Sequence, residues 1–454
     1  MSTSVSTKPA GDFGNGSVKR HILNQAIPLT LAQLVQLLYN IVDRIYIGHM
    51  PGDDAGMALT GVGLCFPIIT MIAACVNLIS TGASPLCSIA RGKGRTESAQ
   101  EILTTAYCLL LVIGVGVVAL TYIIKRPLLY LLGASDVTFA YANTYMNIYL
   151  IGTIFFAIGT GMNVFINLQG YPKYGMLTTI IGAIINLVLD PIFIFALHMG
   201  VKGAAIATII GQMVSAVWVL HFLSKKDIEL RLDILHPHIY REHVRRMLTL
   251  GLPGFIMGVT NCLVQAVCNA TLSIYGGDVY VGIMTIINSV REMSGLPING
   301  ITSGSQPVVS YNYGARKNER VKEGIRFTAI VGLIYTGVFW LTTILHPGFF
   351  ISLFSSDPEM LSLGVKPLTV YFMGFVFMSL QFAGQSSFVA LRKAKQAVFF
   401  SIFRKIIIVV PLTLLLPMIP SLGVMGVFLA EPISNLIGGS ASFLTMYFTV
   451  YRKL

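Results

Sequence analysis

The chain has 454 residues, 54% of them hydrophobic and only 11% charged, with a mean hydropathy of +0.75 and a formal net charge of +12 at pH 7. So little charge argues against a soluble protein. The basic residues lie in short clusters between apolar blocks, a pattern of membrane topology rather than of nucleic-acid binding. A β-barrel is disfavoured too, because the blocks do not alternate with period two over about 10 residues.

In chain order, residues 1–18 are rich in Ser, Thr and Gly and read as a disordered tail. A first apolar block at about 22–48 is too long for a signal peptide and reads as a spanning helix. Further blocks follow at about 57–90, 101–124, 137–168, 174–197 and 201–224. A charged linker at 225–246 leads to blocks at about 244–275, 279–312, 324–346, 361–391, 396–417 and 422–450. A bilayer needs roughly 20 residues per helix, so the expectation is an all-α polytopic membrane protein with twelve transmembrane helices. Pro28, Pro67, Pro191, Pro297 and Pro411 lie inside blocks and can kink them.

The basic residues orient the chain. With the N-terminus inside, the cytoplasmic connections take Arg91 to Arg95, Lys225 to Arg246, Arg316 to Arg326 and Arg392 to Lys395. The opposite side receives only Lys125, Arg126, Lys202 and Lys366. Both termini are therefore expected in the cytoplasm.

The halves repeat at an offset of about 220–225 residues. "STGASPLCSIARGKGRTE" from Ser80 meets "TSGSQPVVSYNYGARKNE" from Thr302, placing Gly82 on Gly304 and Pro85 on Pro307. "YLIG" at 149 meets "YFMG" at 371, and Gly203 falls on Gly426. Six spans return the chain to its starting side, so the repeats are parallel, related by an axis along the membrane normal. The expected domains are a six-helix bundle at 19–224, the linker at 225–246 and a second six-helix bundle at 247–454. Two such bundles around a central cleft form the architecture of a rocking transporter.

Intramembrane polar residues point to a site, because ions there are costly and usually functional. In the first span Gln33, Gln36, Asn40 and Asp43 share one helix face. Arg44 points about 100° away and can snorkel outward. The fourth span carries Asn163 and Asn167, the fifth Asn186 and Asp190, the sixth Thr208, Gln212 and Ser215. Two carboxylates with amide and hydroxyl oxygens form a hard-ligand set suited to Na⁺ or to a proton. Taken singly, each Asn or Thr also fits plain helix-to-helix bonding.

The repeat places Gln36, Asn40 and Asp43 on Asn261, Gln265 and Cys268, and Asp190 on Val410, so the second half keeps a polar stripe without the acids. Its own ions are Arg291, Glu292, Arg404, Lys405 and Glu431, with Asn288 and Glu292 on one face. Arg404 and Lys405 are expected to snorkel, and Glu431 has no evident partner. Methionines such as Met162, Met257 and Met284 suit an adaptable substrate surface. Cys65, Cys75, Cys87, Cys108, Cys262 and Cys268 lie in apolar blocks without a CxxC pair, which argues against disulfides or zinc. There is no Walker A sequence and no catalytic Ser–His–Asp or HExxH set, and Asp53–Asp54 is a single loop pair rather than a Mg²⁺ site. Neither ATP-driven transport nor an enzyme is expected.

"YNIVDRIYIGH" of the first span, "GVGLCFPI" from Gly61 and "QPVVSYNYGARKNERVKEG" from Gln306 resemble the MATE (multidrug and toxic compound extrusion) family, in its DinF-related branch and MepA-like group. The likeness covers about 20–450. It implies a bacterial inner-membrane antiporter, acting as a monomer without a cofactor, that exports organic cations and hydrophobic drugs against inward H⁺ or Na⁺. The family's cation site falls here on Asp43, Asn186, Asp190 and Thr208, with Asn163 nearby; Asp43 and Asp190 would ligate the metal if the ion is Na⁺. The substrate cavity would draw on Gln33, Gln36, Asn40, Met162, Gln212, Asn261, Gln265, Met284, Asn288 and Glu292. Acids that some members carry in the seventh and tenth spans are replaced here by Asn261, Gln265, Gln381 and Gln385. The competing reading is a flippase for a lipid-linked oligosaccharide, whose diphosphate would require basic residues where the first half offers acids.

Overall fold

The computed structural model describes residues 12–50, 55–225, 227–234, 237–355 and 358–454. The Asp53–Asp54 pair lies outside them, as do residues 1–11 of the expected tail. Residues 12–17 are an ordered turn: Asp12 accepts from the Gly14 amide at 2.9 Å and Phe13 is buried. Polar composition concealed that single anchoring aromatic.

The described residues form helices and no strand. In lipid each backbone N–H and C=O must be paired within its own segment, and apolar blocks of this length achieve that only as helices. Among the described residues, ten helices are long and apolar enough to cross a membrane. They are α1 (Val18–Gly48), α2 (Gly56–Gly92), α3 (Thr96–Leu131), α4 (Asp136–Leu168), α5 (Pro172–Ala196), α6 (Val201–Leu223), α7 (Arg241–Gly277), α9 (Asn318–Leu345), α11 (Ala394–Met418) and α12 (Met425–Lys453). An eleventh span, α10, is the pair Pro358–Phe372 and Phe375–Ala390, bent by 42°. The twelfth, α8, covers 278–314 and follows α7 directly, broken from it at Gly277, whose φ of +70° no other residue type adopts cheaply. Its Asn288, Arg291, Glu292 and Asn299 make it more polar than the others.

Two compact units divide the chain. One carries Leu31–Phe255 with the chain before Gly16; the other carries Gly16–Thr30 and Ile256–Leu454. These do not coincide with 19–224 and 247–454, because the opening of each half's first helix groups with the other half. Both breaks fall just after a proline, Pro28 in α1 and Pro253 in α7.

Glycines explain the grouping. In the first unit α2 meets α7 so closely that a Cβ on Gly82 would lie 2.0 Å from the Met247 carbonyl oxygen. One on Gly251 would lie 1.6 Å from that of Leu78. In the second unit the repeat-related crossing brings Gly304 against Ala26 and Gly300 against Thr30. Small residues that let backbones touch are the main device of helix association in lipid.

The first unit's core gathers Ile47, Val62, Ile72, Tyr145, Met146, Tyr149, Leu150 and Ile194. The second has one cluster around Ile283, Ile287, Leu368, Phe372, Phe375 and Phe428 and another around Val321, Phe388, Ala397 and Met446. All six cysteines are free.

The linker is strapped to the first unit. Leu230 and Leu232 are buried. The Leu230 amide donates to Gln169 Oε1 at 2.9 Å and the Arg231 amide to Gln100 Oε1 at 3.0 Å. Arg91, itself buried, pairs with Glu229 and donates to the Leu168 carbonyl. His243 reaches Glu101 at 2.9 Å.

Candidate functional site

Asp43 and Asp190 are 7% and 1% exposed, and their carboxyls lie close enough to act on each other electrostatically. Asp43 Oδ1 and Asp190 Oδ2 are buried without a partner. The helices explain the convergence. Asp43 sits on the buried side of α1, whereas Arg44 is exposed and lies over the Phe66 ring, 4.1 Å from its centroid. Asp190 ends the regular part of α5, where Pro191 lacks an N–H and a π-helical turn at Ile192–Ala196 follows. Asn186, one turn earlier, donates to Asp190 Oδ1 at 3.2 Å and lies 3.4 Å from the Thr208 hydroxyl. Thr208 donates to the Ala204 carbonyl at 2.9 Å.

A cavity in the same unit is lined by Gln36 and Tyr39 of α1, Phe155, Phe156, Thr160 and Asn163 of α4, Thr178, Thr179 and Asn186 of α5, and Thr208, Gln212 and Ser215 of α6. The acids do not line it. Asn186 and Thr208 face the cavity and also touch the acid site, so they connect the two.

The other candidates are placed as follows. Asn163 donates to the Gly175 carbonyl at 3.0 Å and accepts from Thr178 at 3.3 Å, so it joins α4 to α5 rather than meeting the acids. Gln33 and Asn40 are half-buried and do not line the cavity. Met162 is fully buried in helix packing and lines neither cavity; its long apolar side chain fills a gap in the bundle. Glu292 is exposed and lines neither.

Three tyrosines escaped the sequence reading. Tyr39 accepts from Gln36 at 3.3 Å and Tyr149 from Gln212 at 3.5 Å. Tyr145 stacks on Tyr149, with ring centroids 5.9 Å apart. The signal was present in α1: Gln36, Tyr39 and Asp43 follow each other at 3 and 4, as good a helical stripe as the one through Asn40.

In the second unit a smaller cavity is lined by Asn261, Val264, Gln265, Cys268, Met284, Asn288, Arg291, Tyr371, Lys405, Val409, Thr413, Val427, Ala430 and Glu431. Arg404 and Lys405 do not snorkel; they are 5% and 2% exposed. Glu431 Oε1 accepts from Arg404 Nη1 at 3.0 Å and from Lys405 Nζ at 3.1 Å. Arg404 also donates to the Asn435 amide oxygen. Both cations reach one carboxylate because α11 runs as a π-helical turn over Phe403–Val409, which changes their projection from that of a regular helix.

The MatE family model matches residues 28–192 and again residues 253–415, once in each half. The chain belongs to the MATE family. Among curated relatives, the multidrug export protein MepA of Staphylococcus haemolyticus is 26% identical over 382 residues, covering 82% of this chain and 83% of that protein. MepA of Staphylococcus saprophyticus is 22% identical over 438 residues, 96% of this chain and 95% of that one. Among solved structures, an outward-facing multidrug resistance MATE family transporter of the MOP superfamily superposes with a TM-score of 0.90 at 22% identity, covering 98% and 99% of the two chains. A crystal structure of MATE in complex with MaD3S gives 0.91 at 23% identity, covering 99% and 100%. The all-α fold of two six-helix halves expected from sequence is the MATE fold. Members of the family are transporters, so this chain is a multi-pass membrane transporter and not an enzyme.

Proposed function

We propose that this MATE protein exports organic cations and hydrophobic drugs by alternating access, in exchange for an inward cation taken up at Asp43 and Asp190. It works in the bacterial plasma membrane with both termini cytoplasmic, as a monomer without a cofactor. The observation that carries the reading is the buried carboxyl pair beside a cavity of mixed aromatic and amide lining. The cavity suits drugs of varied shape, since Phe155, Phe156 and Tyr39 offer faces while Gln36, Gln212 and Asn186 offer adaptable hydrogen bonds. The relatives named as multidrug export proteins support the same cargo.

The proton is the favoured coupling ion. Burial penalises two bare carboxylates side by side, and a proton on the pair removes one of the charges. A second proton entering the pair alters the bond to Asn186, and Asn186 faces the drug cavity. Loading the pair from outside therefore weakens drug binding, and unloading it inside restores it. The flippase reading is weaker: the first unit's cavity holds no basic residue, and the second unit's basic cavity has room for little more than a water-sized group.

Ethidium efflux from vesicles, under separately imposed pH and Na⁺ gradients, tests the proposal. Asp43→Asn and Asp190→Asn should each abolish gradient-coupled efflux. Wild-type efflux that follows Na⁺ alone would replace the proton with sodium, and unchanged coupling in both variants would remove the site.

A further inference from the structure

The second unit's cavity occupies the position that the acid site holds in the first, with the charge inverted. In the repeat Gln36, Asn40 and Asp43 fall on Asn261, Gln265 and Cys268, and Tyr149 falls on Tyr371. Extending the match of Gly203 with Gly426 places Thr208 on Glu431. All five second-half residues line the cavity. Where the first half carries carboxyls, the second carries Arg291 and Lys405 on the cavity wall and Arg404 beside them, against the single carboxylate of Glu431.

Hydrogen-bond supply is as one-sided as charge. Glu431 is already committed to Arg404 and Lys405. The Arg291 side chain makes no hydrogen bond or ion pair among the described residues, and its Nε is buried without a partner. The side chains of Asn261, Gln265 and Asn288 make none either, so their amide N–H groups offer donors to the cavity. Buried net charge and unpaired buried donors both cost stability. One small anion in the cavity answers both. The enclosed space is small, which favours a monatomic anion over a phosphate ester or a drug-borne carboxylate.

We propose that this cavity binds a small inorganic anion, a halide, held by Arg291 and Lys405 with the amides of Asn261, Gln265 and Asn288 as further donors. In a cell the abundant halide is chloride. The site is separate from the acid pair and does not depend on which cation drives transport.

The test is thermal unfolding of the purified full-length protein in detergent, with sodium gluconate replaced stepwise by sodium chloride at constant ionic strength. A ligand that binds only the folded state raises the midpoint with saturation. Chloride and bromide should do so, and sodium acetate should not. Arg291→Gln should raise the half-saturating chloride concentration at least tenfold. Asn288→Leu, which removes an uncharged donor from the same wall, should shift it in the same direction, and serves where Arg291→Gln fails to fold. No saturable chloride response over gluconate, an equal response in the variants, or acetate matching chloride would overturn the assignment.

Discussion

A drug carrying one positive charge that leaves while one proton enters moves no net charge, so the membrane potential does no work on the exchange. The acid pair makes this a sharp test. Asp43 and Asp190 are 7% and 1% exposed, and the proposed mechanism has the pair keep one proton throughout and exchange only the second, because burial penalises two bare charges side by side. Accumulation of a monovalent cation should then follow the pH gradient alone, about tenfold per pH unit. A transporter that emptied both carboxyls would import one extra charge per cycle. That charge is worth about 2.3 kcal/mol at 100 mV, which corresponds to about 50-fold accumulation. The assay is ethidium accumulation in proteoliposomes with a potassium diffusion potential at zero pH gradient, compared with a pH gradient at zero potential. The expected result is a response to pH and none to potential. Accumulation approaching 50-fold on potential alone would refute the shared-proton argument while leaving the acid pair itself in place.

Glu431→Gln should destabilise the second unit by about 3–5 kcal/mol, because it leaves Arg404 and Lys405 buried without their shared carboxylate. Adding Lys405→Met should recover more than half of that in equilibrium unfolding, and a double variant no better than the single would show that charge balance is not the cause. Gly251→Ala should lower the unfolding midpoint, since its Cβ would sit 1.6 Å from the Leu78 carbonyl oxygen, whereas Gly63→Ala meets nothing within 4 Å and should be neutral or stabilising. Asn186→Ala should leave ethidium binding within about threefold of wild type, the scale of one neutral hydrogen bond. It should also cut the dependence of binding on pH, measured by fluorescence at several pH values, because Asn186 is the residue shared by the acid pair and the cavity.

The spans were legible because lipid demands long apolar helices and marks their ends with basic clusters. The polar α8 was legible too, as the block at about 279–312, and so was α10 at about 361–391; its 42° turn between Phe372 and Phe375 was not, because no proline stands there. The acid pair was legible because a carboxylate is rare in such blocks, and spacing alone put Asn186 and Asp190 on one face. The tyrosines were not, because aromatic residues in apolar helices carry no sign of function until a partner is seen; Tyr39 becomes informative only beside Gln36. Met162 and Glu292 lie outside both cavities. Residue type fitted the role, but rotation about the helix put one into the packing and the other onto the surface.

Arg404, Lys405 and Glu431 show what a straight-helix projection conceals. Adjacent residues of a regular helix face about 100° apart, an arrangement that does not bring two neighbouring cations onto one acid. The π-helical turn at Phe403–Val409 removes that constraint, and it stands just before Pro411, as the turn at Ile192–Ala196 stands just after Pro191. Both repeats therefore loosen the helix beside the matching proline, on opposite sides of it and with opposite consequences. In α5 the regular helix persists through Asp190, and Asn186 and Asp190 stay on one face. In α11 the turn arrives earlier and gathers cations instead. A proline too close to the bilayer centre frees backbone groups that must be paired again, and each half resolves that demand with a wider turn that also decides which side chains face its cavity. On this account the duplicated scaffold sets where a site forms, the placement of the turn sets which side chains face it, and their identity sets the sign of the charge it holds.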